Sequence, residues 1–286
     1  MTASYVAAQA RAAWRTLWST LRLFADDQGL SWAGAIGLYL FLSVPPFVVA
    51  TASVAAVFVP ADQAEAFVLE QVAKYLPAEQ ELLEGIVAFR PRDLLGGVVS
   101  VILLLFSGSR AFAALTSAIN VMWRRVDGLT FVRRQVLRLG MLLVTLTLLA
   151  LAALGEAAVS VLFGVGGSSE GLWLLDWHLV PAVLLVAFLL AAYKLLPREP
   201  VSWTHAAVGA AVAAVGIRLA QAGLGQLADL GVFRTPYGEL AGVALMATWA
   251  LVVGVIILFG AALVAVLGGK RAIDGEADER FSRSKN

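Results

Sequence analysis

The chain has 286 residues, 60% of them hydrophobic and 14% charged, with a net charge of +1 and no cysteine. A soluble domain carries roughly 25% charged residues, and a soluble interior of this size has no room for so much apolar side chain, so a water-soluble globular fold is excluded. The near-zero charge excludes bulk nucleic-acid binding, and the missing cysteines exclude disulfides, thiolate chemistry and cysteine metal sites. Recurrent apolar stretches of 20 or more residues predict a polytopic membrane protein built as an all-α bundle.

Residues 1–29 come before the first apolar run. Within 5–24, Trp14, Leu17, Trp18 and Leu21 repeat at helical spacing, and Arg11, Arg15 and Arg22 lie off that stripe. This pattern predicts a helix lying on the inner membrane surface, acting either as a lipid-sensing or gating element or as a plain anchor. Six apolar segments follow, at 30–59, 94–118, 139–164, 177–196, 204–228 and 240–267. Each can cross about 30 Å of hydrocarbon as a helix. The first is too long for a cleavable signal and lacks an A-x-A exit. The transmembrane domain is therefore expected to span 30–267.

The loop at 60–93 is long and acidic, with apolar residues at helical spacing on either side of Pro77. It predicts an outer amphipathic hairpin, either a lid over an outward-facing cavity or a solvated hairpin on the bundle. The tail at 268–286 is polar and mixed in charge, and its composition predicts cytoplasmic disorder. Of the 21 Lys and Arg residues, 15 fall in the N-terminal segment, the loop after segment two, the last turn of segment four with the loop after it, and the tail. With six spans these share one side, so both termini are expected in the cytoplasm.

Polar groups inside the spans are the candidates for function. In the stretch LFLSVPPFVVA, Pro45 and Pro46 remove the N–H partners of the Phe41 and Leu42 carbonyls. Lipid cannot satisfy those acceptors, so the sequence predicts a kinked or broken first helix with a polar spot, to which Tyr39 and Ser43 contribute. Arg110, Glu156 and Arg218 are ionisable and lie within spans. Each costs roughly 2.5–3.5 kcal/mol on insertion scales, so each is expected to face the bundle interior. Glu156 and Arg218 lie at about 25 and 21 Å from the inner ends of their helices and are expected to pair; Arg110, at about 12 Å, is not. Ser107 shares a face with Arg110, and Gln221 shares one with Arg218. Two readings compete. These stripes line a path for an anion or a lipid headgroup, or they lock the bundle while Arg110 snorkels.

No cluster of His, Asp or Glu has metal-ligand spacing, and both histidines, His178 and His205, fall at predicted helix ends. The sequence has no P-loop. No cofactor, no metal and no enzymatic activity are expected.

Several stretches together resemble the YihY/BrkB family of bacterial inner-membrane proteins, once labelled ribonuclease BN. YLFLSVPPFVV is similar to the family's Ser-x-x-Pro pattern at Ser43 and Pro46. ALTSAINVMWRRV is similar to a second segment at Ala118, Asn120 and Trp123. AYKLLPREPVSWTHAAVGA resembles a third at Tyr193, Leu196, Pro197, Val201, Trp203 and Gly209. PYGELAGV with the following TW and FGAAL resembles the family's ending at Tyr237, Gly238, Leu240, Ala241, Gly242, Trp249, Gly260 and Ala261. The assignment rests on their order and spacing from about residue 26 to 267. Pro45 adds a second proline, Ala262 stands where the family commonly has a glutamate, and Pro236 and Glu239 replace small polar residues. If that glutamate has a role, the role is either missing here or moved, with Glu156 and Glu239 the candidates to carry it.

The resemblance implies a six-helix fold in the bacterial inner membrane and no particular chemistry. The ribonuclease label fits neither the absent metal site nor the absent basic surface. The expected function is a transporter or exporter of a small polar or anionic solute or a lipid. Its expected path runs past Tyr39, Ser43, Pro45, Pro46, Ser107, Arg110, Asn120, Glu156, Arg218, Gln221 and Tyr237. The alternative is a non-transporting envelope-assembly or scaffold protein. The expected partners are membrane lipids and the transported solute, and not nucleic acid; assembly into a homo-oligomer is left open. A reporter active only outside the cytoplasm should work when fused within 62–90 and fail within 124–136; the reverse pattern overturns the orientation.

Overall fold

A computed structural model describes residues 2–55, 94–123 and 180–269, with isolated positions 66, 135, 136, 140 and 143. In chain order the helices are α1 (Thr2–Asp26), α2 (Gly29–Ala55), α3 (Leu94–Met122), α4 (Val180–Leu195), α5 (Trp203–Asp229), the short α6 (Arg234–Tyr237) and α7 (Ala241–Leu267). A 3₁₀ turn, Gly238–Leu240, links the last two. There is no strand among the described residues, so the fold is all-α.

Four stretches are long and apolar enough to span a bilayer: Gly29–Val49, Ile102–Met122, Trp203–Asp229 and Arg234–Leu267. The 16 residues of α4 are apolar but rise only about 24 Å. Five of the six expected segments thus coincide with described helices. The segment 139–164, the hairpin 60–93 and the tail from 270 onward lie outside the described residues.

α1 has three kinds of face. Trp14, Leu17, Trp18 and Leu21 are exposed, Trp14 to 65%. Arg11, Arg15 and Arg22 are exposed beside that stripe, and the Arg22 guanidinium lies 5.7 Å from the Trp18 ring centroid. Thr20 and Leu23 are turned into the protein. Thr20 tolerates full burial because its Oγ1 donates to the Thr16 carbonyl at 2.8 Å, so no polar atom is stranded. The helix ends at Asp26, and Gln28 takes a left-handed φ of 55° before α2 begins.

α2 corrects one expectation. Pro45 and Pro46 lie inside a helix that continues to Ala55 without a break. Proline's fixed φ is itself helical, and the ladder on both sides survives, which in lipid outweighs two lost bonds. Ser43 does not serve the freed carbonyls of Phe41 and Leu42. Its Oγ donates to the Leu40 carbonyl at 2.7 Å.

The chain forms two compact units. One comprises Met1–Gly29, Thr116–Val215 and Ile257–Asn286; the other comprises Leu30–Leu115 and Gly216–Ile256. In the second unit α2 and α7 touch backbone to backbone. A β-carbon on Gly37 would lie 2.8 Å from the Leu251 Cα, and one on Gly254 would lie 2.6 Å from the Ala33 carbonyl oxygen. Small residues permit this approach, and dispersion over the close surfaces replaces the hydrophobic drive that lipid does not supply. Gly254→Val should therefore destabilise the protein by about 1–3 kcal/mol through overpacking. Gly223→Ala, whose β-carbon would meet nothing within 4 Å, should be neutral or mildly stabilising. Thermal unfolding in detergent checks both, and equal losses would contradict the α2–α7 contact.

Candidate functional site

The expected path residues fall mainly in the second unit: Tyr39, Ser43, Pro45 and Pro46 on α2, Ser107 and Arg110 on α3, Arg218 and Gln221 on α5, and Tyr237 in α6. Asn120 belongs to the first unit, and Glu156 lies outside the described residues, as does its pairing with Arg218.

Depth along the helices follows from the glycine contacts. Ala33 sits beside Gly254 and Gly37 beside Leu251, so α2 and α7 run antiparallel. Two residues further along, Tyr39 comes level with Thr248 and Trp249. On α5, Gly216 meets Ile256. The short 230–240 connection makes α5 antiparallel to α7 as well, which sets Gln221 level with Leu251, within one turn of Trp249. Arg218 comes level with Gly254, about one turn away. Tyr39, Arg218, Gln221 and Trp249 are all half-buried. The Thr248 hydroxyl is spent on the Ala244 carbonyl at 2.8 Å. The Trp249 indole Nε1, by contrast, is buried and has no acceptor among the described residues. An unpaired buried donor costs free energy in any low-dielectric setting. The sequence showed Trp249 only as a motif tryptophan, and nothing in the pattern revealed that its donor would be orphaned.

Arg110 departs from expectation. It is exposed rather than turned to the interior, in line with exposed Val99, Ile102, Leu103 and Phe106. Its guanidinium lies 5.3 Å from the Phe106 ring centroid. A long apolar stem and an aromatic partner let an arginine occupy such a face, as the snorkelling alternative requires. Ser107 Oγ is bound to its own helix, donating to the Leu103 carbonyl at 2.8 Å. Tyr237 is exposed in the connection, with its backbone N–H on the Phe233 carbonyl.

Asn120 has a structural task. It is 5% exposed, and its Nδ2 donates to the Thr116 carbonyl at 2.7 Å and the Leu196 carbonyl at 3.1 Å. Its Oδ1 accepts the backbone N–H of Arg198 at 3.2 Å. Both amide hydrogens are used, and one side chain on α3 closes the turn after α4, where Pro197 prevents the helix from continuing. Nearby, the buried Tyr193 hydroxyl donates to the Ile257 carbonyl at 2.7 Å. The Tyr193 ring covers the crossing of α5 and α7. A β-carbon on Gly260 would meet the Tyr193 hydroxyl and ring, and one on Gly209 would meet Val264 and, at 3.0 Å, the Gly260 carbonyl oxygen. Lys194 Nζ donates to the Val201 carbonyl and lies 4.8 Å from the Trp203 ring centroid. The motif residues Asn120, Tyr193, Leu196, Pro197, Val201, Trp203, Gly209 and Gly260 thus converge on one node of the first unit. Among the described residues no group of three or more acidic, His or Cys side chains could hold a metal ion.

Asn120→Ala strands the Leu196 carbonyl and the Arg198 N–H and should cost about 2–5 kcal/mol. Tyr193→Phe should cost only about 1 kcal/mol, because the Ile257 carbonyl lies mid-helix and keeps its backbone donor. Thermal unfolding of the two variants should show this order, and the reverse order would contradict the assigned roles.

The family model for Virulence factor BrkB matches residues 20–284. A UPF0761 membrane protein of Tolumonas auensis is 36% identical over 102 residues, which is 35% of this chain and 33% of that protein. One from Stenotrophomonas maltophilia is 33% identical over 129 residues, 43% of this chain and 30% of its own length. One from Xanthomonas campestris is 26% identical over 197 residues, 66% of this chain and 43% of its own length. The matches thus span less than half the length of these relatives. No solved structure matches the chain. With the family model covering nearly the whole sequence, the chain belongs to the BrkB family of integral membrane proteins.

Proposed function

We propose that the protein is a transporter or exporter in a bacterial inner membrane, both termini cytoplasmic, that moves a small polar or anionic solute or a lipid. The observation that supports this reading is the buried, unpaired Trp249 indole N–H, level with Tyr39 and within a turn of Gln221. A donor left without an acceptor suits a group that is satisfied only when a solute passes. Arg218, about one turn away, supplies positive charge for an anionic group. The carbonyls that Pro45 and Pro46 release lie further along α2 and supply acceptors. Arg110 and Ser107, one on an exposed apolar face and the other bonded to its own helix, stand outside this layer, and Asn120 positions a turn.

The absence of native cysteine allows a direct test. Single variants Tyr39→Cys and Gln221→Cys should react with a membrane-impermeant maleimide, because a solute path is wet. Leu38→Cys and Leu219→Cys, on exposed apolar faces, should not. Protection of Tyr39→Cys and Gln221→Cys to the same degree as the two leucine positions would overturn the transport reading and favour the non-transporting scaffold.

A further inference from the structure

The turn between α4 and α5 holds a cation that the transport reading does not use. Arg198 follows Pro197, and its backbone N–H is fixed by Asn120 Oδ1 at 3.2 Å. Its guanidinium Nε and Nη1 are buried and have no hydrogen-bond partner among the described residues. A buried cationic donor without an acceptor is destabilising, and a matching anion removes the penalty. Glu199, next in the chain, has an interaction of its own and does not reach those nitrogens. Arg198 as a whole is half-buried, so part of its side chain faces outward while Nε and Nη1 are enclosed.

The surroundings indicate which anion. Trp203 is 63% exposed, Leu195 is exposed, and the Lys194 ammonium lies over the Trp203 ring. An exposed tryptophan beside a lysine at the end of an apolar helix marks the headgroup depth of a bilayer. The oxyanion abundant at that depth is phosphate, whose geometry the arginine fork matches. We propose that Arg198 binds a phosphate group, carried either by a phospholipid headgroup or by a soluble phosphate compound, with Asn120 positioning the turn that presents it. This site stands in the first unit and does not depend on the transport reading.

Thermal unfolding of the purified full chain in non-ionic detergent tests the proposal. The probes are phosphatidylglycerol in mixed micelles, phosphatidylcholine as its contrast, and inorganic phosphate against sodium chloride at equal ionic strength. Phosphatidylglycerol or inorganic phosphate should raise the Tm of the parent protein. Arg198→Gln should weaken that response roughly tenfold or more. Arg22→Gln, altering an exposed arginine on α1, should keep it. Without any probe, Arg198→Gln should unfold no earlier than the parent, because it removes an unpaired buried charge, whereas loss of a purely structural arginine would lower the Tm. A response to phosphate alone assigns a soluble compound, and a response to phosphatidylglycerol alone assigns the headgroup; both support the site. If Arg198→Gln does not fold, Arg198→Lys is read instead, and its retained charge with a lost fork should still weaken the response. A parent that responds to neither probe, or a response that is unchanged in the variants, overturns the proposal.

Discussion

Lipid gives a polypeptide backbone nothing to hydrogen-bond with, and the arrangement of this protein follows from that. Among the described residues the chain is helical wherever it is apolar, because only a helix closes its own ladder. The same constraint keeps α2 continuous through Pro45 and Pro46. It also accounts for the use of a buried asparagine at the end of α4. Once Pro197 ends the helix, the Leu196 carbonyl and the Arg198 N–H need partners, and Asn120 supplies both.

With backbone satisfaction settled, packing decides the rest. Lipid tails are as apolar as leucine, so burying leucine against leucine gains little, and close approach matters more. Gly37 and Gly254 bring α2 against α7 in one unit, while Gly209 and Gly260 bring α5 against α7 beneath Tyr193 in the other. Among the described residues, Trp249 and Arg198 each retain a buried donor with no acceptor.

Much of this could be read from the sequence. Long uncharged runs set the helices, and the apolar and basic pattern of α1 set its exposed faces. Motif spacing set the family, since Tyr193, Asn120 and Gly209 are separated in the chain yet serve one node. What could not be read was direction and partnership. Helical periodicity places Arg110 on a stripe with Ser107 but does not say whether that stripe meets protein or lipid. A proline pair announces lost bonds without saying whether the helix bends or breaks. Asn120 looks like a polar lining residue until the turn it holds, more than 70 residues later in the chain, is brought beside it. Arg198 counted only as one more basic residue on the positive side, because burial of its nitrogens depends on neighbours that no local pattern encodes.

The Asn120 contact also limits how the protein can move. One side chain on α3 grips the turn joining α4 to α5, and the Tyr193 hydroxyl on α4 grips the Ile257 carbonyl of α7. The parts of these four helices within the first unit are thereby joined at a corner that resists pivoting. Under the proposed transport reading, any swing in a working cycle is taken up at joints with slack. The 230–240 connection has it: Gly231 and Gly238 both lie at positive φ, and the stretch is largely exposed. Under the transport reading proposed above, stiffening that connection, rather than altering any group along the path, is the mechanical way to halt the protein in one posture.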